Sequence, residues 1–337
     1  MAEKMRQAWF TEDKKIVVKE VDVPELKPGQ VKIKVAYAGL CASDKHSMTM
    51  GILGGKPGMP IGHECTGVIV EMGPQTEASG LKVGDKVVPC PESKCGMCAN
   101  CKDGNDLKCT GGYLIYAYSD YVFAHATSVF KLPDDADMRH YTLTEPLGCV
   151  LRAMELANVQ HGESVLVTGV GGIGIILLNA VLLSGAAKVT VSEPVAERRA
   201  TALAMGAQYV IDPLNENFKE RALEITEGKG FKHIFEMSGV PAVAPTLFDA
   251  IGLRGKITYF AVYPPDFTFP INLYDLYCKE ISIQTVKARL GVLPMAVNLM
   301  PRLQHEKIIG KILPLENVAE AFELFDQGIY HKILLEL

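Results

Sequence analysis

Short runs in which apolar and polar residues alternate open the chain. Val31-Lys-Ile-Lys-Val35, Gly67-Val-Ile-Val70 and Lys86-Val-Val88 carry the β-rich signature of strands with one face in a core. Pro-Gly and Gly-Asp pairs punctuate them, so the pattern up to about residue 150 predicts a compact, β-barrel-like domain. From Ser164 the pattern changes. Strand-like segments Ser164–Thr168, Lys188–Ser192, Gln208–Ile211, His233–Met237, Lys256–Ala261 and Ile281–Gln284 alternate with helix-length stretches, which predicts a parallel, doubly wound α/β sheet. Beyond them Leu293–Leu303 and Glu316–Asp326 have the spacing of amphipathic helices, and Lys332–Glu336 reads as a closing strand.

Composition narrows the partner. With 337 residues and 48% hydrophobic content, the chain suits two domains rather than one core. A formal net charge of -5 with interspersed signs gives neither a basic stripe for nucleic acid nor a polybasic membrane patch, so a small molecule is the expected partner. The first residues are charged and lack the apolar core of a signal peptide, and the longest apolar stretch, Ile175–Leu183, is broken by Asn179. A soluble cytoplasmic protein is expected. Nine cysteines, an odd number with four at metal spacing, point to a reducing compartment rather than a disulfide framework.

Those four are Cys95, Cys98, Cys101 and Cys109, spaced Cys-x2-Cys-x2-Cys-x7-Cys. Sulfurs this close can converge on one tetrahedral ion, which predicts a closed structural zinc site. An iron–sulfur cluster fits less well, because bacterial ferredoxin runs bring the fourth cysteine sooner and follow it with proline. A second set of metal-type side chains lies earlier. Cys41, Ser43, Asp44 and His46 fall in one short segment, His63 and Glu64 follow Gly62, and Glu145 precedes Pro146. Each is weak evidence alone, since single cysteines and histidines are commonly core residues.

At the first strand-to-helix turn of the second half stands Gly169-Val-Gly171-Gly172-Ile173-Gly174. Glycines there allow a tight turn, close approach of the backbone to a pyrophosphate, and close helix–strand packing, the signature of a Rossmann dinucleotide site. Glu193 closes the second strand, where a carboxylate accepts hydrogen bonds from the adenosine ribose and repels a 2′-phosphate. NAD is therefore expected over NADP. Arg198 and Arg199 could serve a 2′-phosphate, but more simply sit on the next helix.

Together these residues resemble those of the zinc-containing medium-chain alcohol and polyol dehydrogenases, over essentially the whole chain. The resemblance is carried by Cys41-x-Ser-Asp-x-His46, Gly62-His63-Glu64, the cysteines at 95, 98, 101 and 109, Glu145-Pro-Leu, the glycine turn and Pro314–Phe322. It implies a GroES-like, β-rich catalytic domain of residues 1–150 and 286–337, with a structural zinc lobe at about 90–112, interrupted by a Rossmann NAD-binding domain of residues 151–285. By resemblance each chain holds two zinc ions, and Cys41, His63 and Glu145 are ligands of the catalytic one. Glu64 either coordinates directly or holds a water. Ser43 and His46 match the proton relay, and Asp44 a residue that orients a ligand. Ile173, Glu193 and Arg198, with Phe260, Ala261, Val262, Thr285, Val286 and Lys287, match cofactor contacts. The implied reaction passes a hydride between NAD and a secondary alcohol or polyol, interconverting alcohol and ketone. A homodimer or homotetramer is the implied assembly.

Glu145-Pro-Leu-Gly-Cys149 resembles the sorbitol and butanediol dehydrogenase branch, whereas the cysteine spacing is shared with threonine dehydrogenases. Those usually carry threonine where this chain has Ser43. Lys287-Ala-Arg289 stands where sorbitol dehydrogenases present a Phe-Arg-Tyr segment, and its two cations bring an anionic substrate such as a phosphorylated polyol into view. A non-catalytic, zinc-stabilised NAD(H)-binding protein would keep the cysteine lobe and glycine turn but lose the catalytic ligands, and all of them are present.

Overall fold

Alternation in the first half becomes antiparallel sheet. The computed structural model describes residues 3–50, 56–105, 108–287 and 290–337, with residues 49, 50 and 290 described by backbone alone. It divides into two units, one formed by Met1–Gly148, Arg289–Arg302 and Ile309–Leu337, the other by Cys149–Ala288 and Leu303–Ile308.

In the first unit one sheet runs in the order Val129–Lys131, Lys86–Pro89, Glu64–Met72, Gln30–Gly39, Lys332–Glu336, Ile309–Pro314, with Tyr121–His125 also paired to Gln30–Gly39. Val31, Ile33, Val35, Ile69, Val87, Val122, Ile333 and Leu335 interleave in its core. Lys32, which the alternation puts on the open face, is buried. Its ammonium pairs with Glu3 at 2.8 Å and lies 4.3 Å over the Tyr121 ring. Two pairings position the chemistry: Gly39 stands opposite Glu64 on one side and Leu334 on the other. Cys41, Glu64 and Lys332 are thereby brought to one rim of the sheet, from three distant parts of the sequence.

In the second unit six parallel strands run in the order Tyr209–Ile211, Ala187–Ser192, Ser164–Thr168, Phe231–Glu236, Ile251–Tyr259, Ser282–Thr285. That is the Rossmann order, with its switch point between the first and fourth strands. The helix Gly174–Leu183 is apolar all round and buried through Val181, because sheet and helices enclose it. Asn179, the break in its apolar run, accepts from the Gln304 amide at 2.8 Å. No helix among the described residues is long and apolar enough to cross a membrane.

Two expected elements differ. The fifth strand begins at Ile251 rather than Lys256. A Cβ on Gly252 or Gly255 would meet other atoms at 2.5 Å, so both glycines lie inside packed sheet. The stretch from Leu293 to Leu303 is helical only to Leu299 and continues as a 3₁₀ turn, Met300–Arg302, because Pro301 has no N–H to carry the helix on.

Candidate active site

The chain leaves strand Gln30–Gly39, passes Leu40 and Cys41, and turns into the helix Ala42–Met50. Cys41, His63 and Glu64 converge, each offering a ligand atom within 4.8 Å of the others. Ser43 joins them: its hydroxyl donates to Cys41 Sγ at 3.1 Å and lies 3.3 Å from His63 Nε2. On the other edge of the imidazole, Nδ1 is 2.9 Å from Asp44 Oδ1. A carboxylate oxygen only accepts, so Nδ1 carries a proton and Nε2 is the nitrogen that faces the cluster; against burial, Asp44 and Cys41 raise the imidazole well above its ordinary value, and a metal at Nε2 would take the place of the second proton. Burial opposes charge on Asp44, but His63, Tyr118 and Lys332 outweigh it and hold the carboxyl below its usual range.

Glu64 is fully buried and meets Lys332, itself buried, with Nζ 2.7 Å from Oε1 and 2.5 Å from Oε2. Only the first contact has hydrogen-bond geometry, so the ammonium meets Oε2 as an ion pair alone. Burial pushes Glu64 up to about 7 against the pull of Lys332, and the charge of Glu145 adds to the rise. Gly39 makes room for the pair. A Cβ there would sit 2.3 Å from Glu64 Oε2 and 3.1 Å from Lys332 Cε.

A cysteine sulfur, an imidazole nitrogen and a buried carboxylate oxygen form the mixed donor set that zinc accepts with a position left open. Glu145, in the first turn of the helix Thr144–Ala157, lies outside the three-residue cluster but near enough for its charge to act on Glu64 and Lys332. His46 is half-buried one turn beyond Ser43 on the same helix, likewise outside the cluster.

The four lobe cysteines also converge within 4.8 Å. A two-residue pairing, Glu92–Ser93 with Tyr113–Leu114, closes the neck of the lobe, and Ser128 Oγ anchors it by accepting from Lys94 N at 2.7 Å. The Thr110 and Cys101 amides draw Cys98 down to about 6, while burial and the neighbouring sulfurs push Cys101 up to about 12. Four sulfurs this close carry charge together only around a cation, which fits a zinc ion.

In the second unit Gly169 turns at φ 85°, and a Cβ on Gly174 would lie 2.1 Å from the Gly169 carbonyl oxygen. No side chain caps the helix that follows, and of its first-turn amides Ile175 N donates to the Gly171 carbonyl at 3.0 Å. Glu193 is buried at the end of the second strand, where Oε2 accepts from Val170 N at 2.9 Å and Oε1 from Val195 N at 3.1 Å. The two arginines divide. Arg199 is spent on the Glu193 and Pro194 carbonyls and on Asp212, each at 2.7 Å. Arg198 instead has Nη1 3.9 Å from Glu193 Oε1 and 3.7 Å from where a Gly171 Cβ would be. Phe260 and Ala261 donate to the Glu236 carbonyl, Thr285 ends the sixth strand, and Lys287 is exposed. Arg289 lies outside the described residues.

Two segments fit models with these sites. Residues 27–134 match the alcohol dehydrogenase GroES-like domain, and residues 172–300 match the zinc-binding dehydrogenase domain. The chain belongs to the zinc-containing medium-chain alcohol dehydrogenases. It is 32% identical to L-threonine 3-dehydrogenase of Pyrococcus horikoshii, over 94% of each chain. It is 33% identical to sorbitol dehydrogenase of Halalkalibacterium halodurans, over 77% of each. The crystal structure of 2R,3R-butanediol dehydrogenase from Bacillus subtilis superposes with a TM-score of 0.86 at 25% identity, covering 99% of both chains. The chain is therefore an oxidoreductase, a zinc-dependent dehydrogenase linked to NAD(P).

Sequence reasoning missed two residues of the metal cluster's surroundings. Lys332 was visible only as a lysine opening an apolar strand, and Tyr118 as one of several aromatic residues near position 120. Lys332 reaches the site through strand pairing and Tyr118 through backbone hydrogen bonds to residues 61–62, neither of which a local motif encodes.

Proposed function

We propose that this protein oxidises a polyol-like secondary alcohol to the ketone with NAD, using one catalytic and one structural zinc. The observation that carries the reading is the convergence of Cys41, His63 and Glu64 around a serine hydroxyl, in a unit that holds a separate four-thiol lobe. Zinc bound at the mixed cluster would lower the pKa of an alcohol, and the nicotinamide would accept its hydride. Ser43 Oγ stands at the cluster to take up the substrate hydroxyl proton, and His46 lies one helical turn on for its release. Asp44 holds His63 in the tautomer a metal needs. Glu145 supplies a further carboxylate beside Glu64, as fourth ligand or in exchange with it. Ile173, Glu193, Arg198, Phe260–Val262 and Thr285–Lys287 are proposed to contact the cofactor.

Glu145-Pro-Leu-Gly-Cys and the sorbitol and butanediol relatives favour a polyol, while the 94% coverage of a threonine dehydrogenase supports threonine as the second reading. An NAD-reduction screen over polyols, their terminal phosphates, diols, threonine and simple alcohols decides between them. Highest kcat/KM on threonine would replace the polyol reading. Equal kcat/KM on a free polyol and its phosphate, unchanged in Arg289→Ala, would remove the anionic variant of the substrate.

A carboxylate at the ribose accepts two hydrogen bonds from NAD and repels NADP, a difference on the order of a few kcal/mol. Glu193→Ser is therefore expected to narrow the NAD preference by at least about tenfold in kcat/KM. Comparable efficiency with both cofactors in the wild type would mean that Arg198 outweighs the carboxylate. In the lobe, Cys98→Ser is expected to lower the thermal midpoint and shed one zinc. Retention of both zincs with an unchanged midpoint would defeat the structural assignment.

The chain is further proposed to form a homodimer or homotetramer in the cytoplasm. Its six-stranded sheet ends at Ser282–Thr285, beside exposed Leu273, Tyr274, Tyr277 and Ile283, and none of the nine cysteines is in a disulfide. Light scattering that returns one chain mass would exclude the assembly.

A further inference from the structure

We propose that Tyr118 is a positioning residue for the metal ligand His63, acting through Asp44; the proposal rests on the reading of Cys41, His63 and Glu64 as a metal site. Tyr118 is fully buried and comes from a segment far from Cys41, His63 and Glu64 in sequence. Its backbone lies along the residues just before His63: Ala117 N donates to the Gly62 carbonyl at 2.9 Å and Tyr118 N to the Ile61 carbonyl at 3.3 Å. Gly62 has φ 96°, and a Cβ there would meet Tyr118 Cδ1 at 2.5 Å. The ring therefore rests directly on the glycine that precedes the ligand, and Phe322 closes its edge with ring centroids 6.3 Å apart.

The hydroxyl then completes a chain of bonds. It donates to Asp44 Oδ2 at 2.5 Å, while Asp44 Oδ1 is 2.9 Å from His63 Nδ1. The Gly39 carbonyl, at 3.1 Å, is a competing acceptor for the same proton. The carboxylate is closer and charged, so it takes the proton. With a donor on each oxygen, the buried Asp44 carboxylate is fixed in rotation, and the imidazole it holds is fixed with it. Removing the hydroxyl leaves one carboxylate oxygen without its donor and lets the group turn. Sequence position gives no hint of this link, because it depends on residues 117–118 being laid against residues 61–62.

The test uses the zinc-loaded full chain and follows release of its two zinc classes to excess pyridylazo-resorcinol in wild type, Tyr118→Phe, Asp44→Asn and the double variant. Tyr118→Phe keeps the ring and its packing. It is expected to speed release of one zinc by about tenfold, leave the other class as in wild type, and scarcely move the thermal midpoint. In the Asp44→Asn background the same change is expected to alter release by less than about twofold, because the path through Asp44 is already cut. Unchanged release with a lowered midpoint would make the hydroxyl a packing feature and overturn the proposal. So would equal acceleration of both zinc classes, or additive effects in the double variant. A wild type with only one zinc class, the four-thiol one, would instead defeat the metal-site reading itself, a result distinguishable from failure of the Tyr118 link.

Discussion

Cys41→Ala is expected to reduce turnover by at least about a thousandfold while the chain stays folded and keeps the zinc of the cysteine lobe. Cys41 contributes the only sulfur of the three-residue cluster, at a half-buried position where alanine leaves no strained backbone and removes little apolar packing. Ser43 also loses the acceptor of its 3.1 Å hydrogen bond, so the hydroxyl is no longer held at the cluster. Elemental analysis should return one zinc fewer than wild type, with circular dichroism and the thermal midpoint close to wild type. Full activity in Cys41→Ala would sink the catalytic role. Loss of both zincs would show that the two sites are not separable.

Residues whose partners lie close in sequence were the legible part of this protein. The four lobe cysteines fall within fifteen positions, 95 to 109, and meet because the intervening chain has little choice. The glycine turn was equally clear, since a strand, a turn with φ 85° at Gly169 and a helix are consecutive. Cys41 and His63 were readable as ligand types, but which carboxylate accompanies them depends on strand register. The register puts Glu64 opposite Gly39 on the buried rim, and the charge of Glu145 acts on it from the helix Thr144–Ala157. Adjacent on one helix, Arg198 and Arg199 were separated in the sequence only by the family resemblance, which singles out Arg198. Packing separates them, because Asp212 and two carbonyls occupy Arg199 and leave Arg198 beside the glycine turn. Lys332 needed the pairing of the final strand with Gln30–Gly39, which no local pattern specifies.

That lysine is where the largest stability effect is expected. Lys332 and Glu64 are 4% and 0% exposed at the side chain, and neither charge has water to fall back on. Lys332→Met removes the cation at similar volume and strands the carboxylate, which costs about 3–5 kcal/mol when a buried pair is broken from one side. The carboxylate can escape only by taking a proton or by turning toward a metal. Adding Glu64→Gln to Lys332→Met removes the stranded charge, so the double variant is expected to recover more than half of the lost stability. Urea unfolding of the four chains, wild type, each single variant and the double, measures this directly. A double variant as unstable as Lys332→Met alone would mean that the lysine stabilises the rim by packing its stem beside Gly39, and that its charge is incidental.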